Sequence, residues 1–167
     1  MALKAHLNNL EEQTMNKQLI DKVFHSNAGL AALVLRLPVG IVLAAHGAQK
    51  LFGWFGGYGL EGTGQWMASI GLEPGYLMAL LAGSAEFFGG LALVLGLLTR
   101  PAAALSAFTM LVAIFSVHIG NGLFMSNSGY EFALTLFAAT LALAIQGGGR
   151  FAIDNRLQAL FSSSKSA

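Results

Sequence analysis

Arg36 and Glu86 are ionisable side chains set inside long apolar runs, LAALVLRLPVGIVL and LLAGSAEFFGGLAL. A charge in hydrocarbon costs on the order of a few kcal/mol unless it is paired, hydrated or able to snorkel, so each needs a physical reason for being there. A second group consists of His46, Gln49, Lys50, His118, Asn121 and Glu131. His46 lies three residues before Gln49 and four before Lys50, so on a helix the three share a face and can address one ligand or one carboxylate. Two readings fit this group. It is a ligand site, or a polar cap in which Lys50 pairs with Glu131 and the histidines bond to backbone. No His-x-x-x-His pair occurs, so a metal centre is not expected.

The elements that position these groups are apolar helices. Four spans are predicted, over about residues 28–52, 76–98, 101–119 and 130–146, giving an all-α integral membrane four-helix bundle. Pro101 suits a first helical position, and Gly147 to Gly149 end the last span. Counting about 1.5 Å per residue places Arg36 roughly 12 Å from one face, and Glu86 at nearly the same depth from the other. The count predicts that the two face each other as an intramembrane charge pair. Proton or substrate handling by Glu86, or a snorkelling Arg36 beside a protonated Glu86, also satisfies the chemistry. Gly40, Ala44 and Gly47 on the first span, and Gly83, Ser84, Gly89 and Gly90 on the second, allow close helix approach. The connection after the first span interleaves Gly53, Gly56, Gly57, Gly59, Gly62 and Gly64 with Trp54, Phe55, Tyr58 and Trp66. It has no Walker lysine and follows no strand, so it reads as an interfacial aromatic lid over the second polar group rather than a nucleotide site.

Composition agrees with a membrane chain. Of 167 residues, 55% are hydrophobic and 10% charged, and the mean hydropathy is +0.64. A soluble domain of this size needs more charge. The formal net charge of +1 lacks the footprint of a nucleic-acid binder. With no cysteine, thiol relay and iron–sulfur ligation by this chain are excluded, and any redox role needs a bound cofactor or a partner. Residues 1–27 read as an interfacial amphipathic segment without a signal-peptide pattern, 28–154 as the membrane domain, and 155–167 as a flexible cytoplasmic tail. Lys4, Lys17, Lys22, Arg100, Arg150, Arg156 and Lys165 all fall on one side of the predicted bilayer. The connections at 53–75 and 118–129 contain neither Lys nor Arg. The positive-inside rule then puts both termini in the cytoplasm and the glycine-aromatic loop in the periplasm.

The fragments RLPVG (Arg36 to Gly40), HGAQKLF (His46 to Phe52), EFFGG (Glu86 to Gly90), GLLTRP (Gly96 to Pro101) and GYE (Gly129 to Glu131) occur in this order. Together they resemble the DoxX family of small bacterial inner-membrane proteins, over about residues 30 to 154. Where that family often has a Gly-Pro-Gly turn followed by Ser-Leu-Asp, this chain reads GGGRFAID, ending at Asp154. The resemblance implies a multi-pass inner-membrane protein, similar to a subunit of a quinone-linked thiosulfate oxidoreductase and to members tied to quinone-like, thiol or oxidative stress. It implies no catalytic residue. Two functions follow as expectations. One is an accessory or quinone-interacting subunit of a membrane oxidoreductase, with no covalent cofactor. The other is a small-molecule carrier, with a purely structural scaffold as the remaining alternative. The implied partners are the bilayer, a membrane or periplasmic redox protein and further copies of the chain.

Overall fold

The computed structural model describes residues 2–163, which form helices and connecting turns without a strand. The helices are α1 (Ala2–Phe24), α2 (Gly29–Phe52), α3 (Gly59–Ser69), α4 (Gly75–Leu95), α5 (Thr99–Ala113), α6 (Glu131–Gln146) and α7 (Ile153–Ser163). A π-helical turn at Ile114–His118 and a 3-10 turn at Ile119–Asn121 prolong α5. Three stretches, Gly29–Phe52, Gly75–Leu95 and Thr99–Asn121, are long and apolar enough to cross a membrane. α6 is also apolar but has 16 residues, about 24 Å of helix.

The bundle turns large apolar side chains outward and small ones inward, as lipid requires. Val34 and Ile41 on α2, Phe88 and Leu95 on α4, and Phe108 and Phe115 on α5 are exposed, whereas Ala32, Leu43, Ala79, Leu93, Ala103 and Leu143 are buried. The α2–α4 contact is set by glycine. A Cβ on Gly40 would lie 2.6 Å from the Gly90 carbonyl oxygen, and one on Gly47 would lie 2.7 Å from the Gly83 carbonyl oxygen. The backbones therefore touch, and these pairings fix the antiparallel register of α2 against α4. α6 packs on α5, and α3 lies across the start of α4. With 11 residues, α3 reaches about 16 Å and covers one end of the bundle rather than crossing it.

The other end is closed by α1 and α7. Gln158 of α7 donates to the Asp21 carboxylate of α1 (2.9 Å) and meets the His25 ring nitrogen (3.1 Å). Where the sequence predicts a loose tail from residue 155, the chain folds as α7 up to Ser163, because Asp154 and Asn155 anchor its start; the last four residues of that expected tail lie outside the described residues.

Candidate functional site

Polar side chains gather at the two ends of the bundle and do different work there. At the end carrying α1 and α7, called the basic end below, they hold backbone. Arg36, 2% exposed, donates through Nη1 to the carbonyls of Leu93 (3.0 Å) and Val94 (2.7 Å), and through Nη2 to that of Phe151 (2.9 Å). Leu93 and Val94 lie in the last turn of α4, at the negative end of its dipole, where the Leu93 carbonyl also accepts from the Gly96 amide (3.1 Å). Gly96 follows in a left-handed conformation, where a Cβ would lie 2.6 Å from the Arg36 Nη1. Arg100 repeats the device on α6, donating to the carbonyls of Ala144 (3.1 Å) and Ile145 and to that of His25 (3.2 Å). Asp154, 1% exposed, accepts from the amides of Leu98 (2.6 Å) and Thr99 (2.8 Å). It thereby caps the start of α5 from across the fold. Ser26 donates to the Gln146 carbonyl (2.6 Å) and accepts from the Gly149 amide (3.0 Å).

At the opposite, aromatic end the last turn of α2 delivers Lys50 to Glu86 of α4, with Nζ and Oε2 2.5 Å apart. The side chains are 23% and 4% exposed respectively, so the carboxylate is sealed in the bundle while the ammonium is reachable. What reaches it is a cleft of about 570 Å³ lined by Gln49, Lys50, Gly57, Tyr58, Thr63 and Trp66. Glycine is needed at 57 because a Cβ there would lie 2.5 Å from the Gln49 Cα, and the loop folds directly onto the end of α2. Gln49 Nε2 donates to the Phe55 carbonyl (3.3 Å) and holds the loop down. Phe52 stacks with Trp54 and edge-on with Phe87, at centroid distances of 5.1 and 5.2 Å. Trp54, Phe55, Tyr58 and Trp66 are exposed, as side chains at a membrane interface are.

The remaining expected site residues make their contacts elsewhere, although His46 stays one turn from Lys50 on the same face of α2. His46 lies against the Phe132 ring at 5.7 Å, joining α2 to α6. His118 Nδ1 and Asn121 Nδ2 both meet the Ser128 carbonyl, at 2.7 and 3.3 Å, and the Glu131 carboxylate accepts from the Met125 amide at 2.5 Å. His118, Asn121 and Glu131 thus shape the 118–131 connection, and Glu131 is engaged there rather than with Lys50. No group of three His, Cys, Asp or Glu side chains positioned to hold a metal occurs among the described residues.

The expected Arg36–Glu86 pair is corrected by the register. Opposition of Gly40 to Gly90 and of Gly47 to Gly83 puts Arg36 beside Leu93 and Val94. Glu86 lies seven or eight residues away along α4, about 10–12 Å. Depth counting failed because it set the ends of the two helices level. α4 actually stops beside Arg36, about two turns inside the start of α2.

The DoxX family model matches residues 31–119. This chain belongs to the DoxX family. The matched stretch carries Arg36, Lys50, Glu86 and Arg100, so both the α4 cap and the buried ion pair lie in the family's own region. Relatives extend beyond it. Inner membrane protein YqjF of Escherichia coli is 37% identical over 134 residues, covering 77% of this chain and 92% of that protein. The "Putative oxidoreductase CatD" of Bacillus subtilis is 36% identical over 122 residues, 73% of this chain and 82% of its own. Inner membrane protein YphA of E. coli is 30% identical over 129 residues, 74% and 88% of the two chains. No solved structure matches.

Sequence reasoning missed several working residues of this DoxX chain. Asp154 and Ser26 act across more than 50 and more than 100 positions, which local periodicity does not register. Tyr58, Thr63 and Trp66 appear in the sequence only as part of a glycine-aromatic loop, and become a cleft wall because that loop lies down on α2. The local signal at Asp154, an acidic residue opening a polar helix just beyond a glycine turn, points to the start of α7, whereas its carboxylate serves the start of α5.

Proposed function

We propose that this chain is a four-span accessory subunit of a bacterial inner-membrane oxidoreductase, and that it holds a quinone-type ring in the cleft above Lys50 and Glu86. The observation carrying this reading is the Lys50–Glu86 ion pair at the floor of an aromatic-walled cleft. A buried ion pair is seldom the most stable filling for its space, since apolar residues of similar volume often do as well, so its presence argues for work beyond folding. The residues suit a flat ring bearing two carbonyl oxygens. Trp66 and Tyr58 offer aromatic faces, Lys50 Nζ offers a donor at the floor, and the space of about 570 Å³ is within the range of small-molecule sites. A quinone accepts two electrons and two protons. In the ion pair the proton sits on Lys50, so the ammonium is the group placed to give one proton to a ring oxygen, with the Glu86 carboxylate as its counter-charge; the second proton, and the one that recharges Lys50, come from water in the open cleft, and the electrons come from a partner protein because the chain has no cysteine.

Several lines support the setting. Relatives are named as inner membrane proteins and one carries an oxidoreductase label. α6, helped by the polar turns at its ends, serves as the fourth span; the basic end faces the cytoplasm and the aromatic end the periplasm by the distribution of Lys and Arg.

The test uses the protein's own fluorophores. Of the two tryptophans, Trp66 on α3 lines the cleft and Trp54 lies in the turn that precedes it. Titrating a short-chain ubiquinone or menadione into the protein in nanodiscs should quench their emission saturably. Lys50→Met should abolish the saturable component and Lys4→Gln should leave it. Quenching that is linear, or indifferent to Lys50→Met, would reject the quinone site, and flux of a small solute in liposomes would favour the carrier reading instead.

A further inference from the structure

The basic end carries a second cavity, unrelated to the cleft. About 590 Å³ in volume, it is lined by Gln18, Asp21, Lys22, His25, Arg100 and Gln158. A neighbouring hollow of about 400 Å³ shares His25 and Gln158 with it and adds Arg150, Ser26 and Asn155. Three full positive charges, Lys22 and Arg100 on the larger hollow and Arg150 on the smaller, therefore stand around two adjoining hollows that meet at His25 and Gln158. None of the three is in an ion pair. Lys50–Glu86 is the one ion pair among the described residues, and the guanidinium of Arg100 is bonded to carbonyls, which carry no net charge. Asp21, the carboxylate in the wall, is bonded through Oδ1 to the neutral amide of Gln158 and keeps its charge, so the three cations exceed it by two. A hollow with cations in excess is a site for an anion.

The surroundings identify which anion. Phe151, just ahead of α7, is an exposed apolar side chain at the hollow, with Arg150 over its ring, 5.9 Å from the centroid, and exposed Met15, Leu10 and Leu7 continue along α1 away from Lys22. The helices that rim the cavity thus also present apolar surface, the arrangement of a helix lying in a membrane interface. Cations at headgroup depth with apolar contacts beside them fit a molecule having a phosphate at one end and acyl chains at the other. We propose that the Lys22–Arg100–Arg150 cavity binds the headgroup phosphate of an anionic phospholipid of phosphatidylglycerol type. In that site the phosphate takes the free donors of Lys22 and Arg150 while Arg100 supplies field from the floor. The lipid then ties α1 and α7 to the bundle from outside, adding to the Gln158–Asp21 and Gln158–His25 contacts that tie them from within.

The experiment is lipid retention by the full-length detergent-solubilised protein, followed by native mass spectrometry and by the shift in its melting temperature, with short-chain phosphatidylglycerol, phosphatidylcholine of equal chain length, and inorganic phosphate as probes. One phosphatidylglycerol per chain is expected to be retained, with phosphatidylcholine and phosphate giving no comparable shift. Replacing both Lys22 and Arg150 by Gln should weaken retention about 25-fold, at about fivefold per charge near the headgroup plane. Lys4→Gln with Arg156→Gln removes two charges from the same end without touching the cavity and should change it less than twofold. Equal loss in that control pair means a diffuse surface attraction and overturns the site. So does wild-type retention by the Lys22/Arg150 double variant, equal retention of phosphatidylcholine, or protection by phosphate alone, the last reassigning the cavity to a free anion.

Discussion

Breaking the Lys50–Glu86 pair from its two sides should have unequal consequences, because the two groups are sealed to different degrees. Lys50→Met leaves a carboxylate that is 4% exposed with no cation beside it. Stranding one member of a buried pair costs about 3–5 kcal/mol. Glu86→Leu leaves an ammonium on a flexible stem that is 23% exposed and opens onto the cleft, where water and snorkelling reduce the loss to about 1–2 kcal/mol. The double variant removes both charges and their desolvation together, and should fall within about 1 kcal/mol of the wild type. The cycle then gives a coupling of at least about 2 kcal/mol, far outside the roughly 0.3–0.5 kcal/mol scatter of independent sites. Reversible unfolding in mixed micelles, followed by far-ultraviolet circular dichroism, measures all four species. Additive single losses, or a larger loss from Glu86→Leu than from Lys50→Met, would refute the geometry. Quinone quenching of the double variant separates the two uses of the pair: a folded variant that no longer quenches saturably shows that the pair serves the cleft.

Arg36→Met should cost about 3 kcal/mol in the same unfolding assay, because it takes the donor from the Val94 and Phe151 carbonyls, at about 1–3 kcal/mol each, and leaves Leu93 to the Gly96 amide alone, while relieving the desolvation of one cation; combined with Glu86→Gln the losses should add, and a coupling above about 1 kcal/mol would return the two residues to one site. Asp154→Ala removes the cap on Leu98 and Thr99 and should lower stability by about 1–2 kcal/mol, with unchanged stability excluding the capping role. Gly90→Leu forces apart backbones that leave a Cβ at 90 only 2.5 Å from the Gly40 carbonyl oxygen and should prevent accumulation of folded protein, where Gly120→Leu, with open space around it, should not. Because the chain has no cysteine, a single cysteine at Ser126 should react with a membrane-impermeant maleimide in intact spheroplasts and one at Lys4 only after lysis; the reverse pattern would invert the proposed topology.

Much of the architecture was legible because lipid imposes coarse rules. Helices such as α2 and α4 announce themselves by apolar length, the small residues that bring them together are spaced three and four apart, and the aromatic loop carries its interfacial character in its composition. The register was less visible, although its determinants were in plain sight. Matching the small-residue stripes, Gly40 with Gly90 and Gly47 with Gly83, sets Arg36 against Val94 and brings Lys50 to Glu86. Counting from the ends of the apolar runs does not, since hydrophobicity marks where a chain meets lipid and not where a helix stops. The site was half legible for the same reason. His46, Gln49 and Lys50 share a helical face as their spacing requires. The carboxylate partner of Lys50 depends on the height of α4, and the engagement of His118, Asn121 and Glu131 in loop hydrogen bonds depends on a turn geometry with no periodic signature.

The two ends of the bundle use charge in opposed ways, and the difference bears on which one does chemistry. Arg36, Arg100 and Asp154 spend their hydrogen bonds on backbone carbonyls and amides. Those partners neither titrate nor leave, so the donors and acceptors of each such group are committed to holding a helix end and are not exchanged for a bond to a ligand; Arg100 offers its hollow only the field of its charge. The Arg36 guanidinium, with Nη1 on two consecutive carbonyls of α4 and Nη2 on that of Phe151, is suited to that task by its rigid fork and replaceable by Lys only at a loss of geometry. Lys50 meets another side chain, has rotational freedom, and keeps donors directed to a cleft. Its bond to Glu86 can therefore be exchanged for one to a bound oxygen without disturbing the backbone. A group adapted to changing partners needs this combination of a sealed counter-charge on one side and an open cavity on the other, and among the spanning segments the aromatic end supplies it.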